Sequence, residues 1–160
     1  MLSLVQRQQA IAAIRRLPDE LEALISELDD DQLRVVAIPR EWTVQQIVHH
    51  LADSHMNSFI RLKHILTRER PELQPYSQDA WALLPDVERT PVSASLALLR
   101  GLHARWCALF ESLDDAQWLR QGWHPEYGEV TPADLVKAYA RHGAEHLDQI
   151  RRVMAAIPSG

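Results

Sequence analysis

Apolar residues recur three or four positions apart along most of this chain, which is the spacing of amphipathic helices. The first helical pattern runs from Leu4 to Arg16. Pro18 and the two acids after it suit the first turn of a renewed helix, whose apolar face extends to Leu28. The beginning of the chain therefore predicts either one kinked helix or two.

Three further helices follow from the same periodicity. Thr43 is a predicted N-cap, and the helix after it runs to about Arg68, because prolines at positions 71 and 75 forbid much more. The third helix spans Val92 to Leu113. Thr131, followed by proline at the first helical position, starts the last helix, which continues to about Ala156.

The segments between these helices carry no clear strand signal. Residues 29–40 are predicted to be a surface connector, residues 71–91 an irregular crossing segment, and residues 114–128 a turn plus a loop. Four long amphipathic helices without strands predict an all-α protein. The expected architecture is a four-helix bundle formed by residues 1–160 as a single domain.

Composition narrows the class of protein. The 160 residues are 46% hydrophobic, which suits one domain with a proper core, and the formal charge of −5 argues against nucleic-acid binding. No apolar run is long enough for a membrane helix, and the start lacks the pattern of a signal peptide. The single cysteine, Cys107, is expected in the core, and a reducing cytoplasm is the expected compartment.

The last helix carries the candidate chemistry. His142 and His146 are four residues apart, so in a helix both imidazoles point the same way, one turn apart. Two such nitrogens can bind one metal ion, and a catalytic ion usually has a third protein ligand and an open position. An incidental pair of histidines has the same spacing, so this pattern alone leaves the question open.

The second helix offers the third ligand. Helical spacing places a polar stripe along it, formed by His50, Asp53, Ser54, Asn57, Arg61 and His64. Its flanks, which are expected to pack against neighbouring helices, are Ile47, Leu51, Met56, Phe59 and Ile60. A polar stripe inside a bundle needs hydrogen-bond partners or a ligand, so His50 is the candidate that reaches across to His142 and His146.

Several separated segments also carry a family likeness. They are residues 42–61, Tyr76 with Ala80-Trp81, residues 102–106, residues 124–126 and residues 139–150. In these segments, and over most of the chain from about residue 20 to 153, the sequence resembles the DinB/YfiT-like metal-dependent hydrolases.

The resemblance implies a four-helix bundle and a homodimer, with a divalent metal, nickel or zinc, on His50, His142 and His146. Relatives of this group include thiol S-transferases that use low-molecular-weight thiols such as bacillithiol or mycothiol. One departure is that family members often have a further histidine between the last two ligands. This chain has Gly143, Ala144 and Glu145 there, so the surroundings of the ligands are expected to differ from those in the family.

Three functions are open at this point. A three-histidine ion can lower the pKa of bound water for hydrolysis, or bind a thiol as the nucleophilic thiolate for transfer to an electrophilic small molecule. The ligand set does not choose between them, and only the resemblance favours thiol transfer. The third possibility is a non-catalytic helical binding or stress-response module.

Glu145 raises a further alternative. Residues 142–146 fit the H-x-x-E-H pattern of inverted zinc peptidases, in which the glutamate is the general base. Only Asp148 follows as an acid, although a downstream glutamate or aspartate commonly completes that metal shell. A surface carboxylate is therefore the favoured role of Glu145.

The remaining candidates have either a functional or a structural role. Asp53, Asn57 and Arg61 are candidates for orienting ligands or binding substrate, and buried structural contacts are the alternative. The aromatic residues that could line a pocket or pack in the core are Trp81, Trp123 and Tyr127. His124 lies in a loop, and no spacing argument places it at the metal.

Overall fold

A computed structural model describes residues 2–158, in which four long helices form a four-helix bundle. The elements are α1 (Leu4–Ile25), α2 (Asp30–Arg34), α3 (Val44–Thr67), α4 (Gln78–Trp81), α5 (Pro85–Arg89), α6 (Val92–Glu111), α7 (Asp115–Trp118), β1 (Gly122–His124), β2 (Gly128–Val130) and α8 (Pro132–Ala155). Within the described range, no helix combines the length and apolar character that a membrane crossing requires. The predicted all-α bundle is confirmed.

Both helices that carry candidate ligands begin where the sequence predicted. The Thr43 side chain accepts a hydrogen bond from the Gln46 backbone N–H, and the Gln46 side chain accepts one from the Thr43 N–H. Thr131 and Asp134 make the same reciprocal pair at the start of α8. These capping boxes satisfy N–H groups that the first turn leaves free, and so define where each helix begins.

The start of the chain is one helix, because α1 continues through Pro18. A proline inside a helix has no N–H to donate to the carbonyl four residues earlier, which here belongs to Ile14. This carbonyl instead accepts a hydrogen bond from a side chain of α6, since His103 Nδ1 lies 2.6 Å from it. The proline therefore opens a hydrogen-bonding position in the buried face of α1.

Each long helix packs against two others: α1 and α3 both contact α6 and α8. Gly143 allows the α1–α8 approach, since a Cβ at this position would lie 2.8 Å from Leu17 Cδ2. The buried glycine lies between His142 and His146 in sequence. Close packing against Leu17 thus positions the face of α8 that carries both histidines.

Four sequence predictions are corrected, three about secondary structure and one about burial. Residues 122–130 form an antiparallel hairpin that pairs Gly122 with Val130, although no strand was predicted, because three-residue strands are too short to show alternation. The connector at 29–40 contains α2, and the segment at 71–91 contains α4 and α5. Ile60 is 45% exposed, because it lies beyond the buried face of α3.

Candidate metal centre

Three imidazoles from two helices converge between α3 and α8. His142 Nε2 lies 3.2 Å from His50 Nε2 and 3.1 Å from His146 Nε2, and the three ligand atoms all lie within 4.8 Å of one another. Ligands of a tetrahedral zinc ion with bonds of about 2.0–2.1 Å lie about 3.3 Å apart. The spacing therefore suits a single divalent ion, and the structure brings together the three residues that the sequence singled out.

The three imidazoles are held in the neutral form that binds metal. Burial, with His146 nearby, lowers the pKa of His50 to about 4. Burial, with His146, His50 and Arg141 nearby, lowers that of His142 to about 3. Burial also lowers the pKa of His146. At neutral pH each ring therefore has one nitrogen without a proton, and that lone pair is what a cation can bind.

His50 and His146 have different supports. His146 Nδ1 lies 2.7 Å from the Gln149 side-chain oxygen, an acceptor, so this nitrogen carries the proton and Nε2 is bare. His50 is buried, and its ring packs against Trp42 with centroids 4.8 Å apart. The nitrogen of His146 that faces the centre, Nε2, therefore presents a lone pair and carries no proton to donate.

Two further histidines lie behind His142, and sequence reasoning missed both. His55 is fully buried, with Nδ1 2.8 Å from His103 Nε2 and Nε2 3.3 Å from His142 Nδ1. His55 lies outside the polar stripe predicted on α3, so helical spacing gave no reason to choose it. The signal that could have found His103 is its place in the matching segment 102–106.

The other α3 histidines lie outside this cluster. His49 is buried, with Nδ1 2.7 Å from the Ser95 hydroxyl and Nε2 3.0 Å from the Thr90 carbonyl. Both of its ring nitrogens have protein partners, which is the arrangement of a structural histidine. His64 is half-buried and does not belong to the three-histidine group.

Two cavities of about 320 and 390 Å³ adjoin the centre. The residues that line both are Arg61, His124, Tyr127, Tyr139 and His142. Of the three clustered histidines, His142 is the one that lines these cavities. A small molecule bound there would therefore contact the centre at the His142 side.

Two nitrogen donors beside these cavities have no protein acceptor among the described residues. Arg61 donates from Nη2 to the Gln74 carbonyl at 2.6 Å, whereas its buried Nε has no partner. His124 Nδ1 accepts from the Glu126 backbone N–H at 3.2 Å, so in the neutral ring the proton is on Nε2, which is also buried without a partner. Two residues that line both cavities thus each have a donor that a bound ligand could satisfy.

The other predicted polar candidates do not belong to the three-histidine group. Burial, with Asp86 nearby, raises the pKa of the half-buried Asp53 to about 6. The Asn57 amide donates to the Asp53 backbone carbonyl at 2.9 Å, and neither side chain lines the two cavities. Glu145 is exposed at the edge of the smaller cavity and pairs with Arg141 at 3.3 Å.

Of the three aromatic candidates, one lines the cavities and two do not. Cys107 is buried. Tyr127 lines both cavities, whereas Trp123 is 52% exposed on β1 and Trp81 packs against Tyr76 with ring centroids 4.6 Å apart. Cys107 is fully buried in the core, and burial raises the pKa of its thiol to about 11. The expected core position of Cys107 is confirmed.

Comparison with known sequences gives consistent matches across the chain. The sequence profile of the DinB superfamily matches residues 13–150. The chain is 44% identical over 140 residues to a protein of Bacillus mycoides named "Putative metal-dependent hydrolase", which covers 88% of this chain and 80% of that protein. It is 40% identical over 150 residues to "Putative metal-dependent hydrolase YfiT" of Bacillus subtilis, which covers 93% and 84% respectively.

A solved structure has the same fold. The YfiT structure from Bacillus subtilis, described as "a probable metal-dependent hydrolase with an unusual four-helix bundle topology", superimposes with a TM-score of 0.92. The match covers 97% of this chain and 89% of YfiT at 38% sequence identity. Sequence and structure comparisons therefore indicate the same family.

Proposed function

This chain belongs to the DinB superfamily, and we propose that it is a metal-dependent enzyme that transfers a low-molecular-weight thiol to an electrophilic small molecule. The observation that carries the metal-dependent part is the convergence of His50, His142 and His146, whose ligand atoms lie within 4.8 Å of one another. The names of the relatives, which describe metal-dependent proteins, support the same inference.

The donor set fits zinc or nickel. Imidazole suits both metals, and three neutral ligands leave the full divalent charge for chemistry and at least one position for a substrate. An ion bound there supplies a Lewis acid that favours the thiolate form of a thiol. His50, His142 and His146 would hold it without adding negative charge.

The transfer itself balances without an oxidant or reductant. The sulfur of the thiol forms a bond to the electrophilic carbon, the bond from that carbon to its leaving group breaks, and the thiol proton departs with the leaving group. The protein residues bind and orient the two reactants. Proximity of the reactants contributes to the rate because it replaces a bimolecular encounter.

The cavities beside His142 are proposed to hold these reactants. Arg61 Nε and the buried His124 Nε2 lack acceptors, and leaving buried donors unpaired costs about 1–3 kcal/mol each. A reactant with a carboxylate would supply acceptors of the correct charge, because Arg61 has no carboxylate partner among the ion pairs of residues 2–158. We therefore favour an anionic thiol or an anionic electrophile.

Hydrolysis is the second candidate, because the relatives are named hydrolases. The same three neutral donors suit it, since they would hold an ion that lowers the pKa of a bound water. The two candidates differ in what they consume. Transfer requires a thiol and joins its sulfur to the product, whereas hydrolysis proceeds in water alone.

Elemental analysis of the purified protein, followed by turnover of a generic electrophile with and without a panel of thiols, tests this proposal. Stoichiometric metal and thiol-dependent turnover support transfer, and thiol-independent turnover would support hydrolysis instead. His142→Ala should lose both metal and turnover. His64→Ala is the matched control, because His64 lies on α3 outside the cluster and should retain both. Absence of metal from the native protein would contradict the proposal and favour a binding module.

A further inference from the structure

A chain of hydrogen bonds runs from the candidate centre to α1 and includes one residue from each of the four long helices. It begins at the Ile14 carbonyl of α1, continues through His103 of α6 and His55 of α3, and ends at His142 of α8. Successive heavy atoms lie 2.6, 2.8 and 3.3 Å apart. We refer to these four residues as the histidine relay.

The first member determines the direction of every bond in the relay. A carbonyl oxygen can only accept, so His103 Nδ1 carries a proton and, in the neutral ring, His103 Nε2 is an acceptor. His55 Nδ1 must then donate to His103, which leaves His55 Nε2 as an acceptor. His142 Nδ1 must donate to His55, and His142 Nε2 is left as a bare lone pair.

The bare nitrogen is the one that lies 3.2 and 3.1 Å from His50 and His146. The opposite direction of the relay would put a proton on that nitrogen, where a cation would be repelled. An isolated imidazole populates both tautomers, so the selection needs a cause outside the ring. Here the cause is a backbone carbonyl on another helix.

The Ile14 carbonyl is available because of Pro18. In an uninterrupted helix this carbonyl would accept the N–H four residues later, and that residue is proline. His103 is 1% exposed, so its proton has no access to bulk water in place of this acceptor. A feature that breaks the regular pattern of α1 thus provides the anchor for a ligand on α8.

We propose that His55 and His103 are positioning residues that, anchored on the Ile14 carbonyl freed by Pro18, fix the tautomer of His142 for metal binding. The inference rests on the proposed metal centre. His55 and His103 would contact neither the ion nor the substrate. Such indirect partners typically change metal affinity by about 10–100-fold when they are removed.

Nitrogen NMR of the metal-free wild-type protein, with ¹⁵N-labelled histidine, tests the tautomer directly. The expected spectrum shows His142 with a protonated Nδ1 and an unprotonated Nε2, and His103 likewise. A proton on His142 Nε2 would overturn the inference. This measurement depends neither on metal binding nor on a variant that must fold, so it stands even if the proposed enzymatic function fails.

Two substitutions at His103 then separate polarity from shape. A glutamine can donate to Ile14 and accept from His55, whereas a leucine can do neither. We expect His103→Leu to weaken Zn²⁺ binding about 10–100-fold, measured by competition with a chelator, and His103→Gln to restore most of the loss. The His142 tautomers should be mixed in His103→Leu and single in His103→Gln.

His49→Leu is the control, because His49 is equally buried and hydrogen-bonded but lies outside the relay. It should leave Zn²⁺ affinity and the His142 tautomer unchanged. Equal Zn²⁺ affinity in wild type, His103→Leu and His103→Gln would overturn the inference while leaving the metal centre intact. Failure of the wild type itself to bind either Zn²⁺ or Ni²⁺ would instead contradict the proposed function.

Discussion

His49 and His50 are adjacent on α3, both buried and both neutral, yet the structure uses them in opposite ways. His49 has a protein partner on each ring nitrogen, Ser95 on one side and the Thr90 carbonyl on the other. His50 directs Nε2 at another imidazole nitrogen, that of His142, at 3.2 Å. One ring is complete within the protein, and the other converges on nitrogens that have no protons to share.

The difference shows what distinguishes a structural histidine from a candidate ligand in this bundle. Burial does not distinguish them, because His49 and His50 are 6% and 4% exposed. Nor does the direction of the pKa, which burial lowers in both. The distinction is whether the partners can donate or accept. A carbonyl and a hydroxyl satisfy both ring nitrogens of His49. His50 instead faces the lone pairs of His142 and His146, of which one proton on His50 Nε2 could satisfy a single one, whereas a cation could bind all three rings.

The largest effect is expected when the candidate ligand of this pair, His50, is removed. His50→Ala should reduce Zn²⁺ affinity about a thousandfold, because removing one of three ligands forfeits about a third of a binding free energy of about 10–16 kcal/mol. Competition with a chromophoric chelator measures it. His49→Leu serves as the matched neighbour and should bind Zn²⁺ like the wild type, so equal losses in both variants would show that the distinction is wrong.

Sequence periodicity was sufficient to predict the two helices and the helix faces that carry the candidate ligands. The capping threonines at 43 and 131 and the apolar spacing gave the two helices, and spacing brought His50, His142 and His146 together as candidates. These are local signals, since a cap acts within one turn and a face repeats every 3.6 residues.

The histidine relay could not be predicted in this way. His55 and His103 are 48 residues apart and meet only because α3 packs on α6, and the acceptor at Ile14 depends on a proline that sequence analysis placed at a possible helix boundary. The hairpin at 122–130 was missed for a related reason: its three-residue strands carry no periodicity, and Gly128 adopts φ of +73° at its turn. Contacts between single residues that are far apart in sequence, and strands of only three residues, leave no periodic pattern in the sequence.

As the pH falls, the free energy of unfolding of the metal-free protein should decrease more steeply than surface charge alone would predict. The pKa values of His50, His103 and His142 are lowered to about 4, 4 and 3, so between pH 3 and 6.5 the unfolded chain binds more protons than the folded one. The free energy of unfolding therefore falls as pH drops below 6.5, on the order of 3 kcal/mol between pH 6.5 and 5.5 for the three together.

Urea unfolding of the chelator-treated protein at several pH values measures this slope. Asp53, whose pKa burial raises to about 6, acts in the opposite sense because its folded form loses stability as pH rises through that value. Unfolding free energies that are flat between pH 7 and 5.5 would contradict neutral, buried imidazoles.

His49→Leu should lower the stability of the protein without affecting the candidate metal centre. It therefore tests the structural role of His49 separately from metal binding. The leucine leaves the Ser95 hydroxyl and the Thr90 carbonyl without their partner, and the free energy of unfolding should fall by about 2 kcal/mol. Chemical denaturation of the metal-free protein measures it. His49→Gln is the control, because an amide can keep one of the two bonds. A stability unchanged in the leucine variant would show that these bonds contribute nothing.

A smaller effect is expected at the cavity wall. Arg61→Gln should raise KM about tenfold for a carboxylate-bearing substrate and change kcat little, because one charge-assisted hydrogen bond contributes about 1.5–3 kcal/mol. Arg61→Lys keeps the charge and should have an intermediate KM. A neutral analogue of the substrate should show no difference among the three proteins, and an equal change with that analogue would rule out carboxylate recognition.

The smallest effect is expected at Glu145, and it bears on the peptidase-like pattern that the sequence contains. The carboxylate is exposed and pairs with Arg141 one turn earlier on the same helix, an arrangement that contributes about 0.3–0.5 kcal/mol. Glu145→Gln should therefore change turnover less than about twofold and stability by less than about 0.5 kcal/mol. A general base in contact with the reacting atoms would behave otherwise, since its loss typically costs about 10²–10⁴ in rate. Steady-state kinetics with the metal content held equal distinguishes the two, and a hundredfold loss with metal retained would make Glu145 the base that its exposed position argues against.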